Sequence, residues 1–168
     1  MSYLSFPESV FLMHGLPPSS AAGGALTSLP ISLKNVQKLW VICGVHTPTS
    51  AAVAIVLQTD DLVAFGGAAA FPATLHNVPI WVNLAADTTD TYARVADAVG
   101  YTTAADALAK SIIFEIDPSV IRTTATAATS EDVFRVSFTA VAAGDWVDVI
   151  YVIQPRYPQA IPPTFILD

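Results

Sequence analysis

Three stretches of this 168-residue chain alternate with a period of two, and that period limits the fold more than any other feature. Residues 110–117 set Ile112, Phe114 and Ile116 against Ile113, Glu115 and Asp117. Residues 132–139 set Val133, Arg135, Ser137 and Thr139 against Phe134, Val136 and Phe138. Residues 146–154 set Val147, Val149, Tyr151 and Ile153 against Asp148, Ile150, Val152 and Gln154. Side chains of a strand alternate between two faces, whereas a helix repeats about every 3.6 residues, so all three segments are expected as strands. The last is largely apolar on both faces. That predicts a central strand covered on both sides, by a neighbouring element or by another subunit.

Further strand-like blocks fill the chain from Ile31 onward. Residues 38–46 and 51–59 are separated by the turn signal Thr47-Pro48-Thr49-Ser50, and residues 78–84 form another block. Residues 60–77, with Gly66, Gly67 and Pro72, look like a long connection, and Asp87 and Asp90 lie in a polar loop. Residues 92–102 are ambiguous: residues 93–99 fit one helical turn, and residues 98–103 fit a short strand. Residues 104–108 share that ambiguity. Asp117 and Pro118 open a single helical turn over residues 118–121, with Asp117 as its cap. Ala143-Gly144-Asp145 is a turn signal, and Pro155 ends the last strand. About eight strands at this spacing, with few helices, predict an all-β sandwich or barrel.

This β-domain spans residues 31–154, between two arms. Residues 1–30 are broken by Pro7, Pro17, Pro18, Gly23, Gly24 and Pro30, yet carry Tyr3, Leu4, Phe6, Val10, Phe11, Leu12 and Met13. Residues 155–168 carry four prolines and the apolar run Phe165-Ile166-Leu167. The prolines favour an extended tail that loses little entropy on docking. For each arm two readings stand: docking on another surface, or folding back on its own domain.

Composition separates the function classes. Only 12% of residues are charged against 53% hydrophobic, about half the charged fraction of an ordinary domain. Disorder requires the opposite balance. Seven Lys and Arg, unclustered, against fourteen Asp and Glu give a net charge of -7, which disfavours nucleic acid as a partner. The apolar runs at residues 39–45 and 51–57 fall short of the ~20 residues of a membrane-spanning helix. The first residues lack the basic start and apolar core of a signal peptide. A single cysteine, Cys43, leaves no internal disulfide framework.

Catalytic motifs are missing in the same way. Cys43 and His46 have C-x-x-H spacing without a second pair, and His14 and His76 lie far off, so no metal site is expected. Glu115 and Asp117 share a strand face, as an acid–base pair would, but no His or Lys stands near them in sequence. Gly23-Gly24 and Gly66-Gly67 lack the spacing of phosphate loops. Trp40, Trp81 and Trp146 would suit stacking on sugar rings; each lies in or beside an apolar strand, and core packing is the expected role. The chain is therefore expected to be no enzyme and to need no cofactor.

Ser32-Leu33-Lys34-Asn35, Val78-Pro79-Ile80-Trp81, Ile113-Phe114-Glu115-Ile116-Asp117-Pro118 and the closing Gln154-Pro155-Arg156-Tyr157 with Pro162-Pro163 and Asp168 resemble, in that order, a family of tailed-bacteriophage virion proteins. These are the head decoration or cement proteins encoded beside the major capsid protein. The resemblance implies a jelly-roll-like antiparallel β-sandwich with extended N- and C-terminal arms, located on the capsid exterior after assembly in the host cytoplasm. It implies the major capsid protein as partner and a homo-oligomer, dimer or trimer. Under it the candidate assembly contacts are Phe6, Phe11, Arg135, Arg156, Tyr157, Phe165, Ile166 and Leu167. A phage neck, tail or baseplate component and a carbohydrate-binding sandwich module are the alternatives.

Overall fold

The computed structural model describes residues 10–20, 24–60, 69–70, 77–122, 133–139 and 141–157. The strands in chain order are β1 (Phe11–Ser19), β2 (Leu26–Thr27), β3 (Ile31–Ser32), β4 (Val36–His46), β5 (Ala54–Asp60), β6 (Ala69–Ala70), β7 (Val78–Asn83), β8 (Ala93–Ala98), β9 (Gly100–Thr102), β10 (Ala109–Ile116), β11 (Val133–Thr139) and β12 (Trp146–Pro155). One short helix, α1 (Pro118–Arg122), stands among them. Sheet A has the order β1-β12-β4-β10-β7-β8. Sheet B has the order β2-β11-β5-β6, with β3 also on β11 and β9 also on β5.

The pairing is that of one long hairpin rolled up. β1 pairs with β12, β2 and β3 with β11, β4 with β10, and β5 with β9, all antiparallel. Rolling then joins β12 to β4 and β11 to β5. With β2 and β3 counted as one interrupted strand, these are the eight strands of a jelly roll. The hairpin β7–β8 is an insertion that widens sheet A beyond β10.

One ambiguity is resolved and one expectation is corrected. Of the two readings of residues 92–102, the helical turn over 93–99 gives way to β8, and the short strand expected within 98–103 is present as β9, in the other sheet. Residues 11–19 are not an irregular arm but β1, an edge strand of sheet A. Phe11, Met13 and Leu16 turn inward onto the core, and β12 gains a hydrogen-bonding neighbour. Pro17 and Pro18 are tolerated because an edge strand has a side without ladder partners, and the register shifts there, between Leu16 and Ser19. For this part of the arm, packing on its own domain is the reading that holds. Residues 1–9 and 158–168 lie outside the described residues.

The core fills the gap between the sheets. Val41, Cys43, Phe114, Val149 and Tyr151 face inward from sheet A, and Ile55, Leu57, Phe134, Val136 and Phe138 from sheet B. Phe134 meets Tyr151 edge-on, with centroids 6.1 Å apart at 71°. The Tyr151 hydroxyl shares a 2.5 Å hydrogen bond with Ser28 Oγ, which also accepts from the Val136 amide at 2.8 Å. Asp117 caps α1 as expected, its Oδ1 accepting from the Ser119 amide at 2.9 Å. Gly144 takes φ +93° in the expected turn, a conformation that favours glycine.

Candidate functional site

Alternation within β4, β10, β12 and β7 buries one side of sheet A and turns the other outward. β4 buries Leu39, Val41, Cys43 and Val45 and leaves Lys38, Trp40, Ile42, Gly44 and His46 on the outer face. β12 leaves Trp146, Asp148, Ile150, Val152 and Gln154 there, and β10 leaves Ser111, Ile113 and Glu115. Register aligns these in rows. Ile150 lies opposite Ile42, Ile42 opposite Ile113, and Ile113 opposite Trp81. One row along, Val152 lies opposite Trp40, and Trp40 opposite Glu115. On the edge, Leu12 of β1 is 59% exposed opposite Val152.

All three tryptophans of the chain therefore lie on this face. Trp40 and Trp81 are half-buried and Trp146 is 50% exposed, so the expected core packing is corrected. The inward positions of those strands hold Leu39, Val41, Ile80, Val82 and Val147, which fill the core without indole rings. β12 is interior to its sheet, as predicted, but only its inner face is fully buried; its outer apolar side chains stay half-buried.

The charges within the apolar rows are matched on the spot. Lys38 Nζ sits 2.9 Å from Glu115 Oε2 and 5.0 Å from the centroid of the Trp40 ring. Trp81 Nε1 donates to the other oxygen of Glu115 at 3.1 Å. Glu115 thus does find a lysine, one 77 residues away in sequence that sheet pairing brings beside it. Asp117 Oδ1 is engaged at the α1 cap, where it accepts from the Ser119 amide and hydroxyl. The C-x-x-H spacing fails for a geometric reason: residues three apart on a strand face opposite ways, so Cys43 is buried and His46 exposed. Burial, then the nearby charge of Asp148, pushes the Cys43 thiol well above its ordinary range.

Another row is polar. Asp148 on β12, Gly44 on β4 and Ser111 on β10 lie side by side. The Asp148 carboxylate leans over Gly44, into the space a side chain there would fill. Burial pushes its carboxyl above the usual range, partly offset by His14 on β1. Tyr92 reaches across β7 and donates from its hydroxyl to Ser111 Oγ at 2.8 Å.

The candidate assembly contacts among the described residues do not converge on this face. Phe11 packs against the core of its own chain. Arg135 lies on the outer side of sheet B, where its Nε donates to Gln58 Oε1 at 2.7 Å. Arg156 and Tyr157 are exposed just beyond β12, with the Arg156 amide bonded to the Asn35 carbonyl at 2.8 Å. Phe6, Phe165, Ile166 and Leu167 lie outside the described residues. The face itself escaped the sequence-based choice of contacts, although the double-sided apolarity of residues 146–154 was its signal. Among the described residues, no three His, Cys, Asp or Glu gather as a metal site. No described helix is long and apolar enough to cross a membrane.

No family model and no curated protein matches this chain. Among solved structures it is similar to one described as "CBM4 structure and function", at 12% identity over 89% of this chain and 88% of that one, with a TM-score of 0.31. It is also similar to a structure of infectious bursal disease virus Gt strain, at 12% identity over 87% of this chain and 40% of that one, with a TM-score of 0.23. The infectious bursal virus derived T=1 particles give 13% identity over 91% and 44%, with a TM-score of 0.23. The chain thus spans less than half the length of those viral proteins. Likenesses this distant carry no function with them, and it is the strand pairing that makes the chain an all-β, jelly-roll-like sandwich.

Proposed function

We propose that this chain is a structural subunit of a viral coat, a decoration or cement protein that works by burying surface rather than by catalysis. The observation that carries this reading is the apolar part of the outer face of sheet A. Leu12, Ile42, Ile113, Ile150 and Val152 lie there beside Trp40 and Trp81, and the Lys38–Glu115 pair neutralises its own charges. Interface cores have this character: apolar and aromatic, and poor in unmatched charge. The whole chain extends the pattern, with 12% charged residues.

In this reading the partner is the major capsid protein, further copies of the chain stand beside it on the head exterior, and many modest contacts sum by multivalency. A neck, tail or baseplate position uses the same face on a different neighbour. The test is sedimentation of the protein with capsid shells that lack it. Wild-type protein is expected to co-sediment and to raise the temperature at which shells break. Ile113→Asp, which places a charge at the centre of the apolar rows, is expected to abolish both effects while the isolated chain stays folded. Shell binding by Ile113→Asp equal to wild type would rule out this face as the contact.

A further inference from the structure

The polar end of the same face has no part in that contact and is built differently. Asp148 is a half-buried carboxylate on an interior strand that makes no hydrogen bond among the described residues. No described side chain donates to it, and its oxygens are not sealed from solvent, so they are free to accept from a ligand. Beneath it, Gly44 lacks the side chain that would collide with this carboxylate, so Asp148 lies close over the sheet between β12 and the Ser111 position of β10. Beside Gly44 stand an exposed His46 and, opposite it in register, the half-exposed indole of Trp146. On the other side, the Tyr92 hydroxyl and Ser111 Oγ are already joined, and both retain capacity for further hydrogen bonds.

We infer that this end of sheet A, formed by Trp146, His46, Asp148, Gly44, Ser111 and Tyr92, is a binding site for a neutral oligosaccharide. A pyranose ring has an apolar face and an equatorial rim of hydroxyls. Trp146 supplies a flat apolar platform for the face, and Asp148 accepts from the rim. Same-face neighbours on one strand, such as Trp146 and Asp148, are about 6.7 Å apart, close to the width of one hexose with its hydroxyls. Ser111, Tyr92 and His46 are placed to bond an adjoining sugar. The apolar rows lack such groups: their one carboxylate, Glu115, is spent on Lys38 and Trp81. The two ends of the face thus suit two partners, a protein at the apolar end and a sugar at the polar end.

The experiment titrates the full chain with neutral hexasaccharides of glucose, mannose and galactose, read by tryptophan fluorescence and by calorimetry. At least one is expected to give a saturable change. Trp146→Ala and Asp148→Asn are each expected to weaken its binding at least tenfold, with melting temperatures near wild type. Ile113→Asp, which probes the coat contact, is expected to bind the sugar within twofold of wild type, so the two proposals fail separately. No saturable response to any of the sugars overturns the inference, as does undiminished binding by a folded Trp146→Ala. A response to an arginine-rich peptide alone also overturns it, and assigns the unmet carboxylate to a basic protein partner.

Discussion

Lys110 shows how one buried charge organises a loop. Its side chain is fully buried, and its Nζ donates to Thr47 Oγ1 at 2.9 Å and to the carbonyls of Asp106 and Leu108 at 3.2 Å, with Asp106 Oδ1 at 2.5 Å. One ammonium thus ties the β4–β5 turn to residues 106–108, and four oxygens meet its desolvation. The hydrogen bond from Lys110 is the main cause that holds the Asp106 carboxyl below its usual range. A depressed folded value means that the pair's stabilisation is complete above about pH 4, the unfolded value. It is lost as pH falls through the lower folded value. Lys110→Met is therefore expected to lower the neutral-pH melting midpoint by roughly 3–6 °C. It should also flatten the decline of stability below about pH 4. Thermal melts from pH 2 to 7 check both, and an acid limb as steep as wild type would rule out the pairing.

Strand β12 joins the core to the candidate site, because consecutive residues serve opposite faces. Val149 is fully buried between the sheets, while Ile150 is half-buried on the outer face opposite Ile42. The same substitution at these adjacent positions should have unlike results. Val149→Asp places an unpaired carboxylate in the core and is expected to prevent folding. Ile150→Asp keeps its charge within reach of water and is expected to cost under about 2 kcal/mol in denaturant unfolding. Similar losses at both positions would mean that the outer face is covered within the monomer. At the other edge of β12, Gly15 of β1 is needed for a steric reason: a Cβ there would strike the Tyr151 ring. β1 thus belongs to the packed domain in detail, not only by its backbone pairing.

Across the whole molecule, Trp40, Trp81 and Trp146 all lie on the outer face of sheet A, while the core is filled by aliphatic residues with Phe114, Phe134, Phe138 and Tyr151. Intrinsic tryptophan fluorescence therefore reports on this one surface. Emission from the isolated chain is expected to be accessible to acrylamide. Burial of the face in an assembly should shift emission to the blue and cut the quenching constant at least twofold. Assembly without any change in emission would place the contact elsewhere, on sheet B or on the residues beyond Tyr157. The net charge of -7 acts at this scale too: it opposes association of like copies except where apolar contact outweighs the repulsion.

The sequence by itself determined the parts that depend on neighbours along the chain. The period-two alternation of residues 110–117, 132–139 and 146–154 located three strands and divided each into two faces, and Asp117-Pro118 located the short helix, because these signals are local. The strand character of residues 11–19 was hidden by Pro17 and Pro18, which only a place at a sheet edge makes tolerable. Tertiary structure decided which apolar face of sheet A would be the core and which would remain open, and so where the tryptophans lie. It also decided that Glu115 would meet Lys38 and that Asp148 would stand over Gly44. An alternating pattern states that two faces exist, but which face the second sheet covers depends on pairings between residues far apart in the chain. The candidate site is made of such pairings, with no two of its strands adjacent in sequence.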